Sequence, residues 1–220
     1  MNAKGILDQL LQQGSSLANT AKEKSGGLNS FAGGAVTGGA LGLLLGNKKG
    51  RKIGGKVLKY GGLAAVGVLA YKAYSSHQQN KQGRVEHEPQ TIDRLPAAQA
   101  QAHASPILRA VIGAAKADGH IDAREQQLIQ EEFAKLSTNP ADQQWLQAEI
   151  AKPLDPSDIA RAATCTEIAA EMYLASVFVV DSQNFMERSY LQELARQLNL
   201  EPGLQAELDQ QAQTALAQAG

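Results

Sequence analysis

Apolar residues recur at intervals of three and four along residues 104–218, and no stretch there alternates as a half-buried β-strand would. In the run that begins at Thr166, nearly every position is apolar. Such a pattern is typical of a helix that is buried on most sides, so we expect this helix at the centre. The pattern predicts an all-α bundle of about seven helices over residues 104–218.

Helix starts and stops separate these runs. A capping side chain followed by proline stands at Asn139 and at Asp155, and both should begin helices. The pair Ser105 and Pro106 shows the same pattern, which predicts the start of the first helix of the bundle. The sixth helical run should stop at Asn199, before Glu201 and Pro202.

A different pattern fills residues 28–74, where glycine interrupts leucine, valine and alanine. Glycines fall at every fourth position inside an uncharged run from Ser25 to Asn47, and on a helix they form one stripe. Helices in lipid pack through such stripes, whereas in water each glycine costs about 1 kcal/mol relative to alanine. We therefore predict a membrane helix that packs through the glycines Gly34, Gly38, Gly42 and Gly46.

Two apolar stretches share this region. Residues 28–46 would span about 28 Å as a helix, close to the hydrocarbon core of a bilayer, and residues 60–71 only about 18 Å. Residues 47–52 between them form the densest basic cluster in the chain. A hairpin with this basic loop in the cytoplasm and a single span both fit the pattern. The alternative is a flexible glycine-rich segment outside the membrane.

The flanking segments complete the organisation. The pattern of residues 1–27, the amphipathic lead segment, predicts a short amphipathic helix that lies on a membrane surface, or else a frayed tail. Residues 75–103 are rich in Gln, His, Pro and Ala without apolar periodicity, which predicts a flexible linker. The sequence names no partner for the histidines in this linker, which are His77, His87 and His103.

Charge divides the chain at about the same place. Residues 1–80 hold ten Lys/Arg and two Asp/Glu, a charge of +8, and residues 81–220 hold eleven and twenty, a charge of −9. The front cations flank apolar runs and have few aromatic neighbours, so we expect a lipid bilayer as partner and no nucleic acid.

Two helix-turn-helix segments, residues 114–129 and 177–191, resemble each other, each with an Asp at one helix end and a Glu in the next first turn. If they pack about a pseudo-twofold axis, their carboxylates converge and require a cation, and oxygen ligands suit Ca²⁺ or Mg²⁺. The alternative is that each carboxylate only caps a helix. The candidate metal ligands are Asp118, Asp122, Glu125, Asp181 and Glu187.

These turns carry a family resemblance. Residues 116–125 resemble the signature of TerB-like domains, the all-helical fold named from tellurite-resistance proteins. Asp181 with residues 185–191 resembles the YebE-type inner-membrane proteins of Gram-negative bacteria. The resemblance implies a glycine-rich hydrophobic front before a bundle of two pseudo-symmetric halves, with acidic residues near the axis that bind metal. Gln183 departs from it, because relatives can carry a second acidic residue there.

The expected function follows from these features. We expect a membrane-anchored TerB-like module for interaction or stress response at the bacterial inner membrane, with the bundle on either side. Its partners would be the bilayer and a second copy or another envelope protein. No candidate nucleophile, oxyanion loop or histidine base appears among the helices, so we expect no enzyme. The alternatives are a metal-dependent hydrolase that uses the acidic cluster and a glycine-zipper protein that oligomerises in the membrane.

Overall fold

The computed structural model describes residues 63–80, 88–117, 139–180 and 184–218, together with Ala3, Gly5 and Gln127. In these ranges the chain is helical without a β-strand, which confirms the all-α prediction for the part described. The helices are α1 (Leu63–Asn80), α2 (Ala97–Ala115), α3 (Pro140–Ala151), α4 (Pro156–Ala160), α5 (Thr166–Val179), α6 (Phe185–Gln197) and α7 (Pro202–Gln218).

Helix α5 lies at the centre of the bundle, as the continuous apolar pattern predicts. Ten of its fourteen residues are buried, and it packs against α1, α2, α6 and α7. Met172 and Leu174 are fully buried there, together with Leu108 of α2 and Leu208 of α7. Ala3 is also buried in this core.

Local side chains begin α3 and α4, and end α6, where the sequence predicts. Asn139 Oδ1 accepts a hydrogen bond from the Ala141 amide at 3.0 Å, and Asp155 Oδ1 accepts one from the Ser157 amide at 2.8 Å. Helix α6 ends at Asn199, whose φ of 52° is left-handed. The amides of the two residues at this end bond back to the helix, which is the Schellman arrangement: Asn199 to the Arg196 carbonyl and Leu200 to the Ala195 carbonyl, both at 3.2 Å.

The predicted start of α2 is wrong. The helix begins at Ala97, eight residues before Ser105, and Pro106 lies inside it. The segment before Pro106 is mostly alanine and glutamine, which favour helix, and Ala100 and Ala104 are fully buried in the core. This packing outweighs the amide hydrogen bond that proline removes.

Helix α1 runs across the predicted boundary between the membrane region and the linker at residue 74. It packs mainly against α7 and α5, and Val66, Ala70 and Ala73 face the core. Both ends of the predicted linker, residues 75–80 and 97–103, are therefore helical. Within the described ranges no helix combines the length and the apolar character that crossing a bilayer requires. Residues 28–46 lie outside them, and the choice between single span and hairpin stays a prediction.

Candidate functional site

Most of the predicted site residues lie outside the part of the chain that the structure describes. This holds for Asp118, Asp122, Glu125 and Asp181, and for the stripe glycines Gly34, Gly38, Gly42 and Gly46. The predicted cation site and the predicted helix contact therefore stay predictions. Across the residues described, no group of three or more His, Cys, Asp or Glu is placed to hold a metal ion.

Of the five predicted metal ligands, Glu187 is the one that lies in the part of the chain the structure describes. It lies in the first turn of α6 and is only 5% exposed. Asn184 caps this helix by accepting from the Met186 amide at 2.9 Å, and its Nδ2 donates to Glu187 Oε1 at 3.4 Å. The side chain that caps this helix is therefore Asn184, and whether Glu187 caps a helix or binds a cation stays a prediction.

A buried polar centre, which the sequence reading misses, lies on the middle of α5. The Glu171 side chain has no exposed surface. Its Oε1 accepts a hydrogen bond from the Ile92 amide at 2.6 Å, and its Oε2 lies 2.6 Å from His103 Nδ1 of α2. Burial raises the pKa of Glu171, and the bonds to His103 and Ile92 oppose that rise.

The sequence does carry a signal for this centre. Glu171 interrupts a helix that is otherwise apolar over most of its length. A charged group buried in such a helix needs a partner, because removing it from water without compensation is very costly. The partner itself is not apparent from the sequence, because His103 stands 68 residues away.

Residues 88–96, which we call the strap, precede α2 and lie against both α1 and α5. Thr91 and Ile92 are buried, and the Thr91 hydroxyl donates to Asp93 Oδ1 at 2.7 Å. The Arg94 guanidinium lies 3.6 Å from the centre of the Tyr71 ring of α1, a cation–π contact. The strap is thus attached to α5 by its backbone and to α1 by a side chain.

The strap and α1 approach each other closely at Gly67. A Cβ atom at this position would lie 2.9 Å from the backbone nitrogen of Asp93, closer than real Cβ contacts. Only glycine allows this approach without moving the strap backbone.

The other end of α1 is attached to the start of α7. His77 Nε2 lies 2.9 Å from Glu201 Oε2, and the imidazole covers Gly203, where a Cβ atom would lie 2.7 Å from Cε1. Two of the histidines without a predicted partner, His77 and His103, therefore pair with carboxylates of distant helices.

A second charged cluster surrounds a small cavity between α2, α3 and α4. Glu149, 7% exposed, accepts from Arg109 Nη2 at 3.0 Å and from Lys152 Nζ at 2.7 Å. Lys116 Nζ donates to the Ile150 carbonyl at 3.1 Å and to that of Lys152, and burial lowers the pKa of Lys116. The cavity measures about 20 Å³, the space of one water molecule. These charges hold helix ends together beside a space too small for a substrate.

Comparison with known proteins adds the family. Residues 30–212 match a family described as "Protein of unknown function (DUF533)". The chain is 34% identical over 94 residues to a protein of Yersinia enterocolitica described as "Uncharacterized protein in ampR 5'region", a match that covers 43% of this chain and 68% of that protein. No solved structure gives a significant match to the chain.

Proposed function

The chain belongs to the DUF533 family, a TerB-like family, and from this premise we propose that it is a membrane-anchored interaction module for stress response at the bacterial inner membrane. The relationship to YebE-type inner-membrane proteins is part of this proposal. The module is not an enzyme. Its partners are the bilayer and either a second copy of the chain or another envelope protein.

The observation that carries the proposal is the extent of the family match. It begins at residue 30 and ends at residue 212, so it takes in the uncharged glycine-rich run as well as the helical bundle. The two parts thus belong to one family unit. The packing of α1 against α5 and α7 supports this connection, because α1 begins inside the glycine-rich region and packs into the bundle.

The chemistry of the described residues supports interaction over catalysis. Two of their buried carboxylates, Glu171 and Glu149, have histidine or arginine partners that join one helix to another. A divalent cation, Ca²⁺ or Mg²⁺, bound by the acidic turns would adjust the packing of the two halves.

Fractionation of cells that express the full-length chain tests the proposal. We expect the chain in the membrane fraction, resistant to carbonate extraction. Leu44→Arg places a charge in the uncharged run at a cost of roughly 2.5 to 3.5 kcal/mol for insertion, and should release the chain. Gln79→Arg, at an exposed position of α1, is the matched control and should stay in the membrane. Wild-type chain in the soluble fraction would contradict the proposal.

A further inference from the structure

We propose that the strap is a proton-controlled latch, which fastens α1 to the bundle when Glu171 and His103 share a proton and loosens when that proton is lost. The latch consists of residues 88–96, Glu171 and His103. The inference concerns how α1 is attached to the bundle and holds whether or not the front of the chain enters a membrane.

The two oxygens of Glu171 face different elements. Oε1 accepts the amide hydrogen of Ile92 in the strap, and Oε2 faces the imidazole of His103 on α2. One buried carboxylate therefore joins the strap to the bundle, and its charge is balanced from the opposite side. A change in charge at either partner acts on the strap through this single group.

Charge balance sets the direction of the effect. When one titrating proton is shared, the pair is neutral as carboxylate with imidazolium or as carboxylic acid with imidazole. Loss of that proton leaves a buried carboxylate beside a neutral ring, and such a charge is costly. Asp93 in the strap adds a repulsion that also opposes the charged form of Glu171.

The other titratable groups near α5 have partners of their own. Arg94 of the strap lies over Tyr71 of α1 and bonds to Glu88 at 2.5 Å. Three more groups belong to the helices packed on α5: His77 of α1 beside Glu201, Asp209 of α7 with the Tyr173 hydroxyl, and Glu187 of α6 beside Asn184. The groups that act on Glu171 are His103 and Asp93.

The sign of the pH dependence follows from the raised pKa of Glu171. A carboxyl whose pKa is higher in the folded than in the unfolded chain gives stability that is present at low pH and lost as pH rises through the folded pKa. The strap should be most firmly attached under mildly acidic conditions and should loosen as pH rises.

Loosening of the strap reaches α1 through two contacts. The strap backbone at Asp93 lies directly against Gly67, and Arg94 covers Tyr71. Both contacts lie in the first half of α1, whereas the His77–Glu201 pair lies near its end. The first half of α1 should therefore separate from the strap before the second half loses its contacts.

Hydrogen exchange of the full-length chain across a pH series tests the latch, after correction for the intrinsic exchange rate. In wild type, protection of the Ile92 amide should fall several-fold as pH rises from the ordinary pKa range of a glutamate carboxyl to neutral and above, because the pKa of Glu171 is raised. Peptides from the first half of α1 should lose protection over the same range. Glu171→Gln should remove the dependence, because its amide oxygen accepts from Ile92 and its amide nitrogen donates to neutral His103.

Two further variants keep the test decisive. Glu201→Gln removes the carboxylate at the other end of α1 and should leave the pH dependence at Ile92 intact. His103→Gln keeps a donor for Glu171 but removes the ring whose charge opposes the rise in the pKa of Glu171, so the loss of protection at Ile92 should move to higher pH. The latch is refuted if wild-type protection does not depend on pH, or if Glu171→Gln shows the wild-type dependence. Should Glu171→Gln not fold, wild-type dependence in His103→Gln refutes it instead.

Discussion

At the scale of single residues, Gly67 sets how closely the strap and α1 approach. Gly67→Ala would place a Cβ atom 2.9 Å from the Asp93 backbone nitrogen, so the strap must move. We expect the variant to lose about 1 to 3 kcal/mol of unfolding free energy through this overpacking, more than the roughly 1 kcal/mol that alanine gains in a helix. Urea unfolding of the full-length chain measures the difference.

Gly203→Ala is the matched control for this prediction. Its added Cβ meets the His77 ring, a side chain that can rotate, whereas the Cβ at Gly67 meets backbone. The loss of stability should therefore be smaller than for Gly67→Ala. Equal stability of Gly67→Ala and wild type would mean that the strap is not held against α1.

The sequence predicts residue roles where they depend on near neighbours. Asn139 and Asp155 cap helices because each needs only an amide two residues ahead. The pairing of His103 with Glu171 depends instead on α2 lying beside α5, which no local pattern specifies. The sequence therefore does not identify the partners of His77 and His103.

At the scale of helices, the end of α6 offers a test of local backbone chemistry. Asn199 adopts a left-handed φ of 52°, which costs most L-residues about 1 to 2 kcal/mol. Asn199→Gly should leave the stability unchanged or raise it, and Asn199→Ala should lower it by about 1 kcal/mol. Thermal melting of both variants compares them directly. The same melting temperature for both would show that the left-handed position does not limit stability.

The start of α2 shows where element prediction fails. Proline is common at the first position of a helix, so Pro106 after Ser105 predicts a start there. The helix instead begins at Ala97, because helix-favouring residues precede the proline and two of their alanines are buried. Helix propensity and burial over eight residues outweigh the cost of one proline inside the helix. The sequence alone does not predict this burial, because it depends on how the helices pack in the folded bundle.

At the scale of the whole molecule, the predicted cation site requires both acidic turns to meet. If Asp118, Asp122 and Asp181 share a cation, the full-length chain should melt at a higher temperature in millimolar Ca²⁺ or Mg²⁺. A ligand at a hundredfold excess over its Kd adds roughly 2.7 kcal/mol to the unfolding free energy. Asp181→Asn should abolish this increment, because it removes one ligand. Melting curves with chelator and with each ion give the measurement.

The capping alternative predicts another pattern for these variants. Asp122→Ala would lose about 1 kcal/mol with or without the ion, and Asp122→Asn would lose little, because asparagine caps nearly as well. A melting temperature that no ion changes would leave the acidic residues as helix caps.

The role of α1 is the part of the whole molecule that the sequence describes least well. An apolar stretch looks the same whether lipid or protein covers it, and residues 60–71 are short for a span. The structure packs Val66 and Ala70 of this stretch into the bundle core. The all-α class and most helix bounds follow from periodicity and caps, whereas this contact depends on the arrangement of α5 and α7.

The packing of α1 also sets the reach of the bundle. If the apolar run to residue 46 lies in the bilayer, only residues 47–62 separate it from α1, and as a flexible chain they would extend roughly 22 Å on average. Had α2 been the first packed helix, residues 47–96 would extend roughly 39 Å. On that condition, docking of α1 nearly halves the average distance between the bundle and the lipid headgroups.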